Sequence, residues 1–185
     1  MIEHGTPVPR LDLAFVASAL AHRLREPVSA SEPIELNRAV IDSRQVEPGD
    51  LFVALPGTRV DGHEFAAAAV TAGAHAILAE HPVGDVSTVP VILVDDTLAA
   101  LQDLAVAWRA VLPLDVVGVT GSVGKTTTKA IVAAILGAGY RVQANPLNYN
   151  NEISVPLCLL ELRPDTERAV IEMGMYTTGE IARLC

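Results

Sequence analysis

Lys125 and Thr126 close a glycine-rich run, Gly118-Val119-Thr120-Gly121-Ser122-Val123-Gly124-Lys125-Thr126, whose residue types and spacing suit the binding of phosphate groups. Closely spaced glycines let backbone N–H groups turn toward phosphate oxygens. A helix starting just after them adds partial positive charge, and a lysine there reaches the outer phosphates. The Thr126 hydroxyl is placed to ligate Mg²⁺. The longer form of this pattern has its first glycine five positions before Gly124, where Val119 stands, so the match is to the shorter G-x-x-G-K-T form. The expected phosphate-binding residues are Gly121, Ser122, Val123, Gly124, Lys125, Thr126 and Thr127. The plain alternative is a glycine-rich turn with no ligand.

Other residues can join that chemistry. Glu172 ends the apolar run from Ala169, and a carboxylate at the carboxyl end of a parallel strand can hold Mg²⁺ directly or through water. A solvated strand-end carboxylate is its alternative. Asn148, Asn150 and Asn151 make an amide-dense turn after another short apolar run. Asn favours turns for local backbone reasons, but in a crevice its amide can bind a carboxylate or phosphate without adding charge. Asp42-Ser43-Arg44 and Thr58-Arg59-Val60-Asp61-Gly62-His63 are polar loops after short apolar runs. Ser, Arg and backbone amides suit a diphosphate or a uracil group. His63 has no partner at metal-ligand spacing and reads as a capping or packing residue, as do His4, His22, His75 and His81. Cys158 and Cys185 form neither a disulfide framework nor a spaced metal site.

The apolar pattern predicts the elements that position these groups. Leu13, Val16, Ala17, Leu20 and Leu24 recur at helical spacing, predicting a helix over 11–24 before Pro27. Residues 39–41 and 51–55 read as strands bounded by Pro-Gly pairs. Asp61 and Glu64 form a capping-box pattern opening an Ala-rich helix that Gly73 ends. Strands are expected at 76–80 and 91–94, and a helix capped by Asp96 or Thr97 runs to about Val111. After Pro113 come a continuous, buried apolar strand at 114–120, the glycine turn and a helix over about 125–136. A strand at 141–144, a helix at 153–160, a strand at 169–173 and a further helix starting over 179–184 complete the pattern. Strands separated by helices imply parallel sheets with right-handed crossovers. The expected fold class is α/β, with a small amino-terminal α/β domain over 1–112 followed, over 113–185, by the first part of a parallel-sheet phosphate-loop domain. Only three strands of that second sheet are visible, which makes the chain an expected amino-terminal portion of something longer.

Composition narrows the function further. Half of the 185 residues are hydrophobic, so the chain has the means to fold. Thirteen Lys and Arg against 22 Asp and Glu give a net charge of −9, which speaks against nucleic acid as a partner. No apolar stretch approaches the roughly 18 residues of a spanning helix. The amino end does not read as a signal peptide, and the cytoplasm is the expected location.

Taken in order, the strings DSRQVEPGDLFVALPGTRVDGHEF, TGSVGKTTT, NYNNEISVP and IEMGMYTTGEI resemble those of the Mur ligases, ATP-dependent amide-forming enzymes of peptidoglycan precursor synthesis. The resemblance covers nearly the whole chain. It implies that residues 1–112 bind a UDP-muramoyl peptide and that residues 113–185 begin the central ATPase domain. ATP and Mg²⁺ are the implied cofactors. The last two strings resemble members that join D-alanyl-D-alanine to UDP-N-acetylmuramoyl-tripeptide through an acyl phosphate. A member adding a diamino acid to the dipeptide precursor, or a module that binds these ligands without turnover, are the alternatives. By the same resemblance Lys125 and Glu172 are catalytic, Thr126 and Glu172 are associated with Mg²⁺, and Asn150 and Asn151 lie at the substrate side. Ser43, Arg44, Asp61 and His63 map near the uridine nucleotide. Ser154, where a Gly is common, and Met175-Tyr176-Thr177, in place of an Ala-Asn-His type segment, depart from the family pattern. Residues 1–185 alone are expected to show little or no ligation, and robust dipeptide-dependent phosphate release would overturn this.

Overall fold

Short apolar runs alternate with helices along the chain, and in the computed structural model they assemble into two parallel sheets. The structure describes residues 8–28, 33–58, 60–84, 86–146 and 149–174. His4, Arg59, Asn148, Met175-Tyr176-Thr177, the helix expected over 179–184 and Cys185 lie outside these.

The elements are α1 (Leu13–Ala19), β1 (Ala39–Val40), β2 (Leu51–Val53), α2 (Ala66–Ala72), β3 (Ala76–Ala79), β4 (Val91–Leu93), α3 (Thr97–Val111), β5 (Asp115–Val119), α4 (Lys125–Gly137), β6 (Val142–Ala144), α5 (Ser154–Leu160) and β7 (Arg168–Glu172). Single 3₁₀ turns stand at Ser43–Gln45 and Gly62–Phe65. The first sheet has the order β1-β2-β3-β4 and the second β5-β7-β6, and every strand pair in them is parallel. This is the expected α/β class. Among the described residues no helix is long and apolar enough to cross a membrane.

Alternation along the strands of the first sheet feeds two apolar layers. Leu51, Val53, Leu78 and Ile92 join α1 and α3 in one core, while Phe52, Ala54, Ile77 and Ala79 pack with Ala66 and Ala69 of α2 in another. Both faces are covered, which is why β2 and β3 read as unbroken apolar runs. In the second sheet Ala169, Ile171 and Met173 belong to the core that contains α3 and α5. The intervening residue Glu172 therefore points to the opposite face, toward α4.

Helix α3 is common to both halves. Asp96 caps it by accepting from the Ala99 N–H at 2.9 Å. Leu101, Leu104, Ala105 and Trp108 lie in one apolar cluster with residues of β2, β3, α5 and β7. The Trp108 indole N–H donates to the Leu162 carbonyl at 3.1 Å. Its ring meets Phe15 edge-on, with centroids 5.5 Å apart.

Three expectations change. The first helix stops at Ala19, because the chain turns after Leu20 so that the Arg25 N–H can bond the Leu93 carbonyl at the end of β4. The predicted capping box is absent as such: Asp61 accepts from the His63 N–H, two residues on, in a 3₁₀ turn that precedes α2, and the tighter turn brings residue i+2 under the carboxylate. Strand β5 was expected to be buried, yet only Val119 is. Among the described residues it pairs with β7 on one side alone, and an apolar run cannot tell a central strand from an edge strand.

Replacing Trp108 by Ala removes the indole, its hydrogen bond and its contact with Phe15. The expected loss is about 3–5 kcal/mol in a urea-denaturation experiment, and a loss below about 1 kcal/mol would show that α3 does not tie the halves together.

Candidate functional site

In parallel sheets all strands end on the same side, so the glycine-rich segment after β5, Asn145 after β6 and the carboxyl end of β7 lie at one edge of the sheet. The loop after β5 is the glycine-rich run. Gly121 and Gly124 take φ of 141° and 83°, values that L side chains rarely adopt, so glycine is required where the backbone turns into α4. Lys125 is the first residue of α4, and its ammonium donates to the Gly121 carbonyl at 2.8 Å. Ser122, Val123 and Thr127 are exposed along the same turn.

Glu172 is the centre of the site. It ends β7 at 2% exposure, yet it is held by a shell of bonds. The Asn150 amide donates to Oε1 at 2.8 Å. The Asn145 side chain bonds both sides of the Glu172 backbone, accepting from its N–H at 2.8 Å and donating to its carbonyl at 3.0 Å. The Lys129 ammonium lies 3.4 Å from Oε2 and donates to the Asn145 carbonyl at 2.7 Å. Oε2 itself accepts no directed hydrogen bond. Burial alone would raise the Glu172 pKa. The Asn150 amide, the Thr126 hydroxyl and the Lys129 ammonium outweigh it and hold the carboxyl below its ordinary range.

Lys129 and Asn145 were not singled out from the sequence. Lys129 follows Lys125 by four residues, which puts both on one face of α4. Asn145 is the first residue after β6, at the carboxyl edge where site residues collect. The Asn-rich loop divides its roles. Asn150 supports Glu172, while Asn151 accepts from the N–H groups of Ile153 and Ser154 and from the Ser154 hydroxyl, and so anchors the start of α5. Ser154 thus takes part in an Asx-type turn, and for Asn151 the turn reading is the one the geometry favours. Cys158, free and buried in α5, has its thiol pushed up to about 12 chiefly by burial, which makes it inert.

The carboxyl edge of the first sheet carries the other expected residues. Ser43 and Arg44 form the turn after β1. The Arg44 side chain, 86% exposed, holds Asp42 in a bidentate pair at 2.9 and 2.7 Å, and the Arg44 N–H adds a third bond. These bonds depress the Asp42 pKa to about 2. Asp61 and His63 stand after β2. The Glu80 N–H donates to His63 Nε2 at 2.8 Å, so Nε2 carries no hydrogen and Nδ1–H donates to Asp61 at 2.6 Å. His63 is buried, with its ring stacked on His81 at 4.0 Å. Asp61, His63 and His81 bring ligand-type atoms within 4.8 Å of one another. Both His63 nitrogens are already committed to hydrogen bonds, so this group is a hydrogen-bonded lock between the ends of β2 and β3. His63 is thus packed and hydrogen-bonded within the fold.

A family model described as "Mur ligase family, catalytic domain" matches residues 36–109, and one described as "Mur ligase middle domain" matches residues 119–185. A UDP-N-acetylmuramoyl-tripeptide--D-alanyl-D-alanine ligase of Synechocystis sp. is 46% identical over 176 residues, 95% of this chain and 39% of that protein. A crystal structure of MurF from Acinetobacter baumannii matches 97% of this chain and 39% of that one, with a TM-score of 0.83 and 34% identity. The MurF ligase from Thermotoga maritima, solved in complex with ADP, matches 80% of this chain and 34% of that one, with a TM-score of 0.71 and 40% identity. The chain spans about two fifths of the length of these relatives, or less.

The Asp42–Arg44 pair makes a test of this edge possible. A depressed carboxyl stabilises the folded state above its unfolded pKa, and the contribution is lost as pH falls from the ordinary 3.8 through about 2. In a carbon-detected NMR titration Arg44→Gln should return the Asp42 midpoint toward 3.8. An unmoved midpoint would show that the pair does not form in solution.

Proposed function

Because the chain belongs to the Mur ligase family, we propose that it serves an ATP-dependent ligase joining D-alanyl-D-alanine to UDP-N-acetylmuramoyl-tripeptide, a step of peptidoglycan precursor synthesis in the cytoplasm. In this reading residues 1–112 form the domain that holds the UDP-muramoyl peptide, with Ser43 and Arg44 at the uridine-nucleotide end. Residues 113–185 contribute the phosphate loop of the ATP-binding domain. One observation carries the reading: a buried carboxylate, Glu172, whose Oε2 accepts no hydrogen bond, stands beside Thr126 at the mouth of a glycine loop that ends in Lys125.

Amide formation requires the substrate carboxylate to lose an oxygen as a good leaving group. In the proposed reaction that carboxylate attacks the γ-phosphorus of ATP, ADP departs, and an acyl phosphate forms. The amine of the dipeptide then attacks the acyl carbon, phosphate leaves, and the ammonium proton is released. No side-chain nucleophile is needed. The loop N–H groups and Lys125 hold the phosphate oxygens as charge moves between them. Lys125 reaches them by exchanging its bond to the Gly121 carbonyl for a bond to phosphate.

The residues present fit Mg²⁺. Glu172 Oε2 accepts no directed hydrogen bond and is paired only by charge with Lys129, the Thr126 hydroxyl is a second oxygen donor, and Mg²⁺ takes oxygen ligands. When bound, the ion would supply charge neutralisation to the phosphates. The chain's own part is to keep Glu172 ionised and aimed, through Asn145, Asn150 and Lys129.

Calorimetry with ADP and with UDP-N-acetylmuramoyl-tripeptide tests the assignment. Lys125→Ala should weaken ADP binding by about 10- to 100-fold, the worth of a charge-assisted hydrogen bond, and leave the muramoyl ligand unaffected. Equal ADP binding by both proteins would remove the phosphate-loop role.

A further inference from the structure

We infer that Lys129 is a built-in counter-charge for Glu172, so that a divalent cation enters this site together with the nucleotide and not ahead of it. The inference rests on the proposed reading of the crevice and adds an order of events to it.

The geometry leaves the ammonium little freedom. Lys129 is the one residue of α4 that is buried. Its side chain is 6% exposed and that of Glu172 2%, and the two charges lie 3.4 Å apart. The same ammonium donates to the Asn145 carbonyl, and the Asn145 side chain is bonded to the Glu172 backbone on both sides. Lysine and carboxylate are thus fixed to one frame made of β6, β7 and α4. Lys125, one helical turn away, is not buried and bonds the exposed glycine loop. The two lysines are therefore placed for different work, one for an incoming phosphate and one for the carboxylate.

Charge arithmetic then sets the order. With Lys129 beside it, Glu172 belongs to a neutral pair, and a free divalent cation approaching Oε2 meets a fixed ammonium of like sign a few ångströms away. In a poorly solvated site that repulsion is weakly screened. A nucleotide polyphosphate brings several negative charges to the glycine loop and reverses the balance. Oε2 accepts no hydrogen bond, so it retains lone pairs for a cation once the site carries excess negative charge.

Mn²⁺ is a direct probe, since its free form is counted by electron paramagnetic resonance without any turnover. The full-length protein should bind Mn²⁺ weakly alone, and together with ADP should form a ternary complex. Lys129→Gln should bind Mn²⁺ without nucleotide roughly tenfold more tightly or better, because the competing charge is gone. Lys129→Arg should behave like the unaltered protein, and thermal melts report whether each variant folds. A purely structural role for Lys129 predicts no gain in cation affinity on its removal. Unchanged or weaker nucleotide-free Mn²⁺ binding by a folded Lys129→Gln protein that still binds ADP overturns the inference and spares the reading of the site. Should Lys129→Gln fail to fold, the unaltered protein decides: Mn²⁺ held as tightly without ADP as with it overturns the inference. Absence of ADP binding in the unaltered protein overturns both.

Discussion

A carboxylate almost wholly removed from water is the constraint around which the second sheet is arranged. Glu172 can be tolerated at 2% exposure only because every neighbouring element gives it something. The loop after β6 supplies two asparagine amides and α4 supplies an ammonium and a hydroxyl. Strand register does the rest. Since alternate residues of β7 face the apolar layer with α3 and α5, the residue between Ile171 and Met173 must face the helix that begins at the glycine loop. One parity decision in one strand thus brings a carboxylate and a phosphate-type loop together.

The first sheet reaches comparable order by other means. Its carboxyl edge is tied by local pairs, Arg44 on Asp42 and His63 between Asp61 and Glu80. These bonds hold the turns in shape and leave the Arg44 side chain exposed. Both ring nitrogens of the buried imidazole are taken up by bonds within the fold.

Much of this was legible in the residues. Glycine at 121 and 124 followed by Lys125 is a local requirement of a turn that enters a helix, and local requirements are written in residue type. The seven strands and the parallel class followed from apolar runs separated by helices. The unread parts depend on tertiary neighbours. A lysine in a helix is ordinarily solvated, and nothing in the local pattern marks Lys129 as buried. Its spacing of four from Lys125 was the available signal. Asn151 looked equally suited to a turn and to a ligand, and the hydrogen bonds at the start of α5 favour the turn. The exposure of β5 was hidden because an apolar run reports composition and not which neighbour strands are present.

Helix α3 carries a further meaning. Its apolar stripe is shared, with Leu101, Leu104 and Trp108 in one cluster with residues of both sheets. Pulling the sheets apart would expose the same surface that holds each of them together, so partial opening gains little over complete opening. Cooperativity therefore does not stop at the Leu112-Pro113 junction, and a disturbance of the second sheet is felt as lost stability in the sheet that precedes it.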